Sequence, residues 1–530
     1  MKIVVAEKIA PAALAVLREE SKWQVVTPDA INGDLPAQLE SADALIVRSA
    51  VFVDGKTLDA AKKLRVIGRA GVGVDNIDVE AATKRGIAVM NTPGANAVAV
   101  AEHTFAMMLA LARHLTRADA STRAGKWEKK SLQGTELRGK TLGIVGLGRI
   151  GVEVARRARA FGMKVMAHDP FVSTVLVREL GVTLATVEDI YKDSDYLTLH
   201  VGLTPQTQGM INPQTLAKMK KSARIVNCAR GELIDEQALA AALKKGTIAG
   251  AALDVFTEEP PKSSPLLGLD NVLLTPHIAG STFEAQEAVG VQIAMQVREY
   301  LKRGVIQNAV NVPSLTHEEY VEMQPYISLA ERLGAFLANV TNGNVEAVSV
   351  RYSGRIAEWK TELLRNAVVK GILNQMLAEK ANLVNAAAIA AERGVEVTEI
   401  KKPKASSGGA GNVMTVLLKT NSEERLAKGA VLHGKSPRLL AVDGIDIEAP
   451  LERDLVYIRN QDVPGVIGKV GTILGKHHIN IANFSLGRRE KNGKSAEAIA
   501  VVHVDSKPTE AVLDELRKIE AVKLVKAMRL

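Results

Sequence analysis

Six residues, GLGRIG, constrain the fold of this chain more than any other segment. They begin at Gly146, directly after the strand-like residues LGIV, and the helix-like stretch VEVARRARAFG follows them. A strand, a GxGxxG turn and a helix in this order are typical of a parallel sheet that binds a dinucleotide, because the glycines admit a tight turn and the helix N-terminus favours the pyrophosphate. The motif therefore predicts a cofactor loop formed by Gly146, Gly148, Arg149, Ile150 and Gly151.

The next strand-like segment identifies the dinucleotide. Its residues, MKVMAH, lead to Asp169, which lies 18 residues after Gly151. A carboxylate at this place accepts hydrogen bonds from the hydroxyls of the adenine ribose, and it would repel a 2′-phosphate. Pro170 follows, where an NADP-binding protein would favour an arginine. The sequence therefore predicts NAD, in preference to NADP.

The composition indicates a folded protein of several domains. The chain has 530 residues, of which 47% are hydrophobic and 24% are charged, close to the averages for globular proteins. At about 100 to 200 residues per domain, this length predicts roughly three to five domains. The formal net charge is +9, but aromatic residues make up only 3% of the chain and the charges are dispersed. Nucleic acid is therefore not expected as a partner.

The cysteine count and the hydropathy of the chain argue against disulfides, cysteine-built metal sites and membrane-spanning segments. Cys228 is the only cysteine, which excludes an intramolecular disulfide and a cysteine-built metal site and favours a reducing compartment. His477 and His478 are adjacent, so their side chains diverge and predict no metal site. No window holds about 18 uninterrupted apolar residues, so no membrane-spanning segment is expected. We predict a cytoplasmic protein without a metal.

The alternation of strand-like and helical segments predicts four domains. The N-terminal part alternates short β-branched strands with helices, and a helix over 97–124 would lead to a second α/β series with six strands. The tail has the order βαββαβ of a ferredoxin-like module. We predict an α/β architecture in which a Rossmann-type domain over residues 96–278 is inserted in a flavodoxin-like domain over residues 1–95 and 279–314. An α+β intervening domain over 315–451 and the ferredoxin-like module over 452–530 follow.

The third predicted domain has two features of its own. Long helices are expected around 325–340 and 358–393. Residues 429–436, GAVLHGKS, satisfy the P-loop pattern of nucleotide-binding proteins. A P-loop opens a helix, whereas Pro437 and the strand-like RLLAVDGI follow here, so we interpret the match as chance.

Three polar side chains follow apolar strands of the second α/β series. They are Arg230 in NCARGELIDE, Glu259 in DVFTEEPP and His277 in TPHIAG. Oxidation of a 2-hydroxy acid needs a cation for the carboxylate, a base for the hydroxyl proton and a group that orients the base. Arginine, histidine and glutamate supply these roles. We predict this set as catalytic, with Glu258 as the less favoured orienting residue.

These segments resemble the D-isomer-specific 2-hydroxyacid dehydrogenase family. The blocks GRAGVGVDNID, VMNTPGANAVAVAEHT, NCARGELIDEQAL, ALDVFTEEPP and TPHIAGST occur in the family's order. The third domain resembles the additional domain of long-form bacterial members, and the tail resembles an ACT regulatory domain. The resemblance implies NAD-dependent oxidation of 3-phospho-D-glycerate to 3-phosphohydroxypyruvate, the first committed step toward L-serine, by a homotetramer.

The resemblance also implies further site residues. In the first domain, the substrate would be bound by Arg48, Ser49, Arg69 and Asn96. In the second, contacts to NAD beyond the glycine loop and Asp169 would come from Cys228, Arg230, Asp254, His277 and Gly280. In the tail, L-serine would bind as an effector at Asn460, Asp462 and Asn480, where Asp462 and Asn480 could pair with its charged groups.

Two alternatives remain open at this point. The same fold acts on other 2-hydroxy acids, such as those related to glyoxylate, hydroxypyruvate and 2-hydroxyglutarate, and fold alone does not separate them. Arg48 and Arg69 favour a substrate with a second anionic group. A nonenzymatic NAD-sensing interaction protein is the other alternative. The set of Arg230, Glu259 and His277 argues against it.

Overall fold

A computed structural model describes the 530-residue chain except residues 32, 316, 377–380, 404–410 and 492–493. The described residues form four β-sheets, two of them parallel throughout. Across these residues, no helix combines the length and the apolar character that crossing a bilayer requires.

The first sheet has five parallel strands in the order β2-β1-β3-β4-β5, which is the flavodoxin-like order. Its strands are β1 (Lys2–Val5), β2 (Gln24–Val26), β3 (Ala44–Val47), β4 (Val66–Arg69) and β5 (Ala88–Met90). Its helices are α1 (Pro11–Arg18), α2 (Pro28–Ile31), α3 (Leu35–Leu39), α4 (Gly55–Ala60) and α5 (Val79–Lys84). The prediction missed β2 because only its last residue is buried, so the strand has no hydrophobic alternation to detect.

Two helices, α6 (Ala97–Arg113) and α7 (Leu115–Arg123), lead from the first sheet to the second. The single helix expected over 97–124 is wrong. His114 between them has a φ of 54°, in the left-handed region that ends a right-handed helix. Proline and glycine are absent from the break, so composition did not reveal it.

The second sheet has seven parallel strands in the order β12-β11-β10-β9-β6-β7-β8. Its strands are β6 (Thr141–Val145), β7 (Lys164–His168), β8 (Thr183–Leu184), β9 (Tyr196–Leu199), β10 (Arg224–Asn227), β11 (Gly250–Leu253) and β12 (Val272–Leu274). Its helices are α8 (Arg149–Ala160), α9 (Thr174–Leu180), α10 (Val187–Asp193), α11 (Pro213–Leu216) and α12 (Glu236–Lys245), with a 3₁₀ turn at Gly231–Leu233. The Rossmann order is confirmed, and the unpredicted β8 is a two-residue strand that is exposed throughout.

After the second sheet the chain returns to the first. Helix α13 (Phe283–Arg303) packs Ile293 and Val297 over Gly68 of β4, where an added Cβ would lie 2.7 Å from Ile293. Farther along, the backbone N–H of Val310 donates to the carbonyl of Val89 at 2.8 Å. This return agrees with an inserted Rossmann unit, while the exact bounds of the four domains stay predictions.

The third region combines helices with a mixed six-stranded sheet in the order β14-β13-β15-β16-β17-β18. Its helices are α14 (His317–Val340), α15 (Glu362–Met376) and α16 (Ala386–Glu392), with a 3₁₀ turn at Arg355–Glu358. Its strands are β13 (Val345–Ser353), β14 (Glu396–Lys402), β15 (Val413–Thr420), β16 (Glu424–Leu432), β17 (Ser436–Val442) and β18 (Ile445–Pro450). The P-loop-like segment 429–436 runs from β16 into its antiparallel neighbour β17, so its rejection is confirmed.

The long helix expected around 358–393 is wrong. The chain forms the 3₁₀ turn, α15 and α16 instead. Before α16, the side-chain oxygen of Asn382 accepts hydrogen bonds from the backbone N–H groups of Val384 and Asn385, at 2.8 and 3.1 Å. Such a side-chain bond offers the backbone an alternative to helical pairing.

The last region has the βαββαβ order that the sequence predicts. Its elements are β19 (Asp454–Asn460), α17 (Val466–Lys476), β20 (Ile481–Lys491), β21 (Lys494–Val504), α18 (Glu510–Arg517) and β22 (Val522–Arg529). The antiparallel sheet has the order β20-β21-β19-β22. Tyr457 of β19 packs edge-on against Phe336 of α14, with the ring centroids 5.4 Å apart. The sheet therefore shares buried apolar contacts with the third region.

Candidate active site

In the loop after β6, close backbone contacts leave no room for a side chain at two of the glycines. The glycine between them has free space around it. Gly146 has a φ of 95°, and an added Cβ would lie 2.4 Å from the carbonyl oxygen of His200. At Gly151 an added Cβ would lie 2.1 Å from the carbonyl oxygen of Gly146. At Gly148 it would meet no described atom within 4 Å. The backbone at the start of α8 is therefore accessible to an anion.

Asp169 shapes this loop from the end of β7. One carboxylate oxygen accepts the backbone N–H of Leu147 and the other accepts that of Phe171, each at 2.8 Å. A carboxylate has about four acceptor positions, so both oxygens keep capacity for ribose hydroxyls. Together with the open N-terminus of α8, this arrangement fits a dinucleotide with an unphosphorylated adenine ribose.

Asp254, at the end of β11, is a fully buried carboxylate that organises the loop after β12. It accepts hydrogen bonds from the Thr275 hydroxyl at 2.6 Å and from the backbone N–H groups of Ile278 and Ala279 at 2.9 and 2.8 Å. Burial alone would raise the pKa of Asp254, but these bonds and one from His103 outweigh it and lower the pKa. Asp254 is therefore ionised and holds the loop that carries His277.

Cys228 lies at the end of β10 with its thiol in the core. The sulfur is 3.6 Å from the sulfur of Met107 on α6. Burial raises the pKa of the Cys228 thiol to about 12. The thiol therefore faces away from solvent, and a contact with the cofactor at this residue would come from its backbone.

Because the thiol of Cys228 is buried, we predict that it reacts slowly with thiol reagents. At pH 8 only about one Cys228 side chain in 10⁴ would be thiolate, the nucleophilic form. We expect an aromatic disulfide reagent to release less than about 0.1 thiol per chain from the native protein within minutes. In guanidinium chloride it should titrate the single cysteine of the chain completely. Rapid, complete reaction of the native protein would contradict the placement.

His277 and Glu259 form a hydrogen-bonded pair. The Nδ1 atom of His277 is 2.7 Å from Oε2 of Glu259, while Oε1 of Glu259 accepts the backbone N–H of Phe256 at 3.1 Å. Because an ionised carboxylate only accepts, Nδ1 carries the hydrogen and Nε2 keeps the lone pair. The His277 side chain is 52% exposed, so Nε2 is positioned to act as a base on a bound molecule.

Arginines from both parallel sheets lie close to one another, and one of them, Arg230, follows the strand next to β11, which leads to Glu259. Arg230, after β10, forms an ion pair with Asp75, after β4, at 3.0 Å. Gly73 makes room for it, since an added Cβ would lie 2.0 Å from Nη2 of Arg230. Burial, and then the charges of Arg230 and Arg48, lower the pKa of Arg69. Three guanidinium groups thus interact in one region with the carboxylates of Asp75 and Glu7, and the excess of positive charge favours an anionic ligand.

The loop after β3 presents Arg48 and Ser49. Glu7 holds this loop, because its carboxylate accepts the backbone N–H groups of Arg48 and Val51 at 2.7 and 3.1 Å. The side-chain amide of Asn76 donates to the carbonyl of Arg48 at 3.0 Å. Ser49 itself is exposed. The loop is therefore fixed by its backbone, while its polar side chains are accessible.

Two buried polar atoms near this region have no hydrogen-bond partner among the described residues. They are Oδ1 of Asn96, the residue before α6, and Nε of Arg69. The other end of the Asn96 side chain lies against Gly280, whose added Cβ would be 3.0 Å from Nδ2. Buried polar atoms are nearly always paired, so we expect a ligand or a water to bond to these two.

Several residues of this region were missed by sequence reasoning. Gly73, Asp75 and Asn76 belong to the block GRAGVGVDNID, and His103 belongs to VMNTPGANAVAVAEHT, so the signal for them was their place in recognised blocks. Glu7 had no such signal. Its role depends on the proximity of β1 to β3, which only the fold reveals.

The predicted effector residues separate into two groups. Asn460 and Asp462 line a cavity of about 310 Å³ beside α17, together with Arg488, which pairs with Asp462 at 2.6 Å. Asn480 is not among the residues that line this cavity, and its side chain donates to Asp505 at 2.7 Å. The structure therefore brings together Asn460 and Asp462 but not Asn480.

Comparison with known proteins identifies three family regions in the chain. The family model of the D-isomer specific 2-hydroxyacid dehydrogenase NAD-binding domain matches residues 105–279. The model of the D-3-phosphoglycerate dehydrogenase intervening domain matches residues 322–443. The model of the ACT domain matches residues 455–521.

Full-length relatives decide the family. The chain is 42% identical over 531 residues to D-3-phosphoglycerate dehydrogenase of Methanocaldococcus jannaschii, with 100% of both chains covered. It is 38% identical over 529 residues to that of Bacillus subtilis, covering 100% of this chain and 99% of the relative. The chain belongs to the D-3-phosphoglycerate dehydrogenase family. The resemblance, the mixed α/β fold and NAD as the cofactor are thereby confirmed.

A solved structure of a D-lactate dehydrogenase is similar to part of this chain. D-lactate dehydrogenase of Aquifex aeolicus, in complex with NAD and lactic acid, matches with a TM-score of 0.52 and 29% identity. The match covers 59% of this chain and 100% of the lactate dehydrogenase. The intervening and ACT regions of this chain lie at residues 322–443 and 455–521.

Proposed function

We propose that the chain oxidises 3-phospho-D-glycerate to 3-phosphohydroxypyruvate with NAD, the first committed step of L-serine biosynthesis. The observation that carries this proposal is the His277–Glu259 pair beside the convergence of Arg48, Arg69 and Arg230. A base with an oriented ring and several cations suit a hydroxy acid with two anionic ends. Full-length relatives with this name support the same function.

Each residue of the site has a role in this reaction. The glycine loop and Asp169 would hold NAD, which accepts a hydride from C2 of the substrate when bound. Arg230 would bind the substrate carboxylate, and Nε2 of His277 would take the hydroxyl proton. Glu259 would orient the imidazole and stabilise its protonated form. In the reverse reaction, His277 would return the proton to the carbonyl oxygen.

The substrate's second anionic group distinguishes it from simpler 2-hydroxy acids. Arg48 and Arg69 come from the first sheet and Arg230 from the second, so a molecule bridging them would carry a phosphate at one end and a carboxylate at the other. Arg69 has a buried nitrogen without a partner among the described residues, and Ser49 offers an exposed hydroxyl. We assign Arg48, Ser49, Arg69 and Asn96 to substrate binding.

The adjacent glutamates offer a matched test of the orienting role. Glu259→Gln keeps the shape of the side chain but removes the charge that stabilises protonated His277, so we expect kcat to fall about 100-fold. Glu258→Gln should keep kcat within about twofold, because Glu259 makes the contact with His277. Steady-state kinetics of both variants check the assignment. An equal loss in the two would contradict it.

The substrate assignment is tested by NADH oxidation with 3-phosphohydroxypyruvate, hydroxypyruvate and 2-oxoglutarate. We expect the phosphorylated acid to have the highest kcat/KM, by at least about 100-fold, since a lost charge-assisted contact costs this order of energy. Preference for an unphosphorylated acid would replace the substrate and keep the dehydrogenase. No oxidation of NADH with any 2-oxo acid would favour the NAD-sensing alternative.

Regulation and assembly are further parts of the proposal. We assign the cavity at Asn460 and Asp462 to L-serine as a feedback effector, and Asn480 stays a predicted contact. The matched ACT domain supports an amino-acid ligand. Adding L-serine to the assay should lower the rate, and light scattering should give the mass of a homotetramer. A cytoplasmic location stays a prediction.

A further inference from the structure

We propose that His103 is a positioning residue that fixes the loop carrying His277 by donating a hydrogen bond to the Asp254–Thr275 pair. The inference rests on the proposed role of His277 as the acid–base group. The block VMNTPGANAVAVAEHT contains His103 but assigns it no role, and the residue lies inside helix α6.

The contacts define which nitrogen of His103 acts. Its Nε2 atom lies 3.2 Å from Oγ1 of Thr275 and 3.4 Å from Oδ1 of Asp254. The Thr275 hydroxyl donates its only hydrogen to Asp254, at 2.6 Å. Both atoms near Nε2 are therefore acceptors, and Nε2 carries the hydrogen. His103 is 19% exposed and Asp254 is fully buried, so little water is available to replace this donor.

Asp254 connects His103 to the reacting residue. Its carbonyl oxygen accepts the backbone N–H of His277 at 2.9 Å, and its carboxylate accepts those of Ile278 and Ala279. His277 has a φ of 52°, a left-handed conformation that a residue other than glycine adopts only when its surroundings hold it. The surroundings here are the contacts of Asp254. Loss of the His103 bond would loosen the carboxylate that holds this strained turn.

A second contact places the same face of α6 against the other end of this loop. Asn96 precedes His103 by seven residues, about two helical turns, so their side chains share a face. Asn96 lies against Gly280, while His103 lies against Thr275. Helix α6 thus contacts both ends of the segment 275–280, and it begins directly after the first sheet.

Two substitutions at one position test the inference. Glutamine places an amide donor near the position of Nε2, whereas asparagine places it near Nδ1, so His103→Gln preserves the bond and His103→Asn removes it. The first readout is amide hydrogen exchange in the full-length chain. We expect the amides of Ile278 and Ala279 to exchange at least about tenfold faster in His103→Asn and within about threefold of wild type in His103→Gln.

Kinetics provide the second readout. We expect kcat to fall about 10- to 100-fold in His103→Asn, because a small misplacement of a reacting group costs this much, and to recover within about threefold in His103→Gln. NADH fluorescence titration should give unchanged binding stoichiometry and a Kd within about threefold of wild type for both variants. This combination separates positioning from loss of folded protein.

Three results would overturn the inference. Unchanged exchange and kcat in His103→Asn would show that the bond does not position the loop. Equal losses in both variants, with fewer NADH sites, would show a structural role alone. Faster exchange with wild-type kcat would show that the turn does not govern the reaction. If the wild-type chain oxidises no NADH, the proposed function fails, and hydrogen exchange still decides whether His103 orders the loop.

Discussion

Replacing His277 is expected to lower kcat for 3-phosphohydroxypyruvate reduction by about 10²- to 10⁴-fold and to leave NADH binding near that of wild type. In the proposed reaction the imidazole would provide the proton for the carbonyl oxygen, and Glu259, 2.7 Å from Nδ1, would keep Nε2 toward the substrate. His277→Asn is the sharper variant, because asparagine tolerates the φ of 52° at this position better than alanine does. His277→Ala combines the loss of the imidazole with backbone strain.

The measurement is kcat together with the Kd for NADH from fluorescence titration. Loss of kcat at constant Kd is the expected pattern, because the glycine loop and Asp169 remain intact. Equal loss of kcat and NADH binding in His277→Asn would assign the residue to the architecture of the cofactor site. A kcat within tenfold of wild type would remove it from the acid–base role.

Replacing Arg230 has the second large effect, and it falls mainly on kcat/KM. Arg230→Lys keeps the charge but loses the planar fork that binds a carboxylate with two hydrogen bonds. We expect kcat/KM for 3-phosphohydroxypyruvate to fall about 10²-fold, since a lost hydrogen bond to a charged group costs up to about 3 kcal/mol. The Kd for NADH should change much less.

A matched control lies on β10, the strand that leads to Arg230. Arg224, at the start of β10, stacks over the ring of Tyr196 with its guanidinium carbon 5.5 Å from the centroid, at the opposite end from Arg230. Arg224→Lys should keep kcat/KM within about threefold. Losses of similar size in both variants would indicate damage to the strand, and an unchanged kcat/KM in Arg230→Lys would remove Arg230 from substrate binding.

The sheets were largely predictable because most of their strands are runs of buried β-branched residues that end at glycine, proline or polar residues. Six of the seven strands of the Rossmann sheet were predicted, and the missing β8 is exposed throughout, so burial left no pattern in its sequence. The break at His114 was not predictable from propensity. It depends on one left-handed residue in a segment that otherwise favours a helix.

The three predicted catalytic residues follow strand ends, where the order of the strands indicates that they lie close together. Arg230, Glu259 and His277 follow β10, β11 and β12, which are neighbours in the sheet. Asp75 and His103 depend on contacts between distant segments, which periodicity does not encode. Their roles required the packing of the first sheet and of α6 against the second.

Transfer of a labelled hydride tests the central claim most directly. NADH deuterated at both C4 positions would be mixed with 3-phosphohydroxypyruvate and the full-length protein, in the thermodynamically easier direction. The proposed function predicts 3-phospho-D-glycerate with one deuterium at C2 in each molecule formed. A product without deuterium, a product of L configuration, or no product at saturating NADH would contradict it.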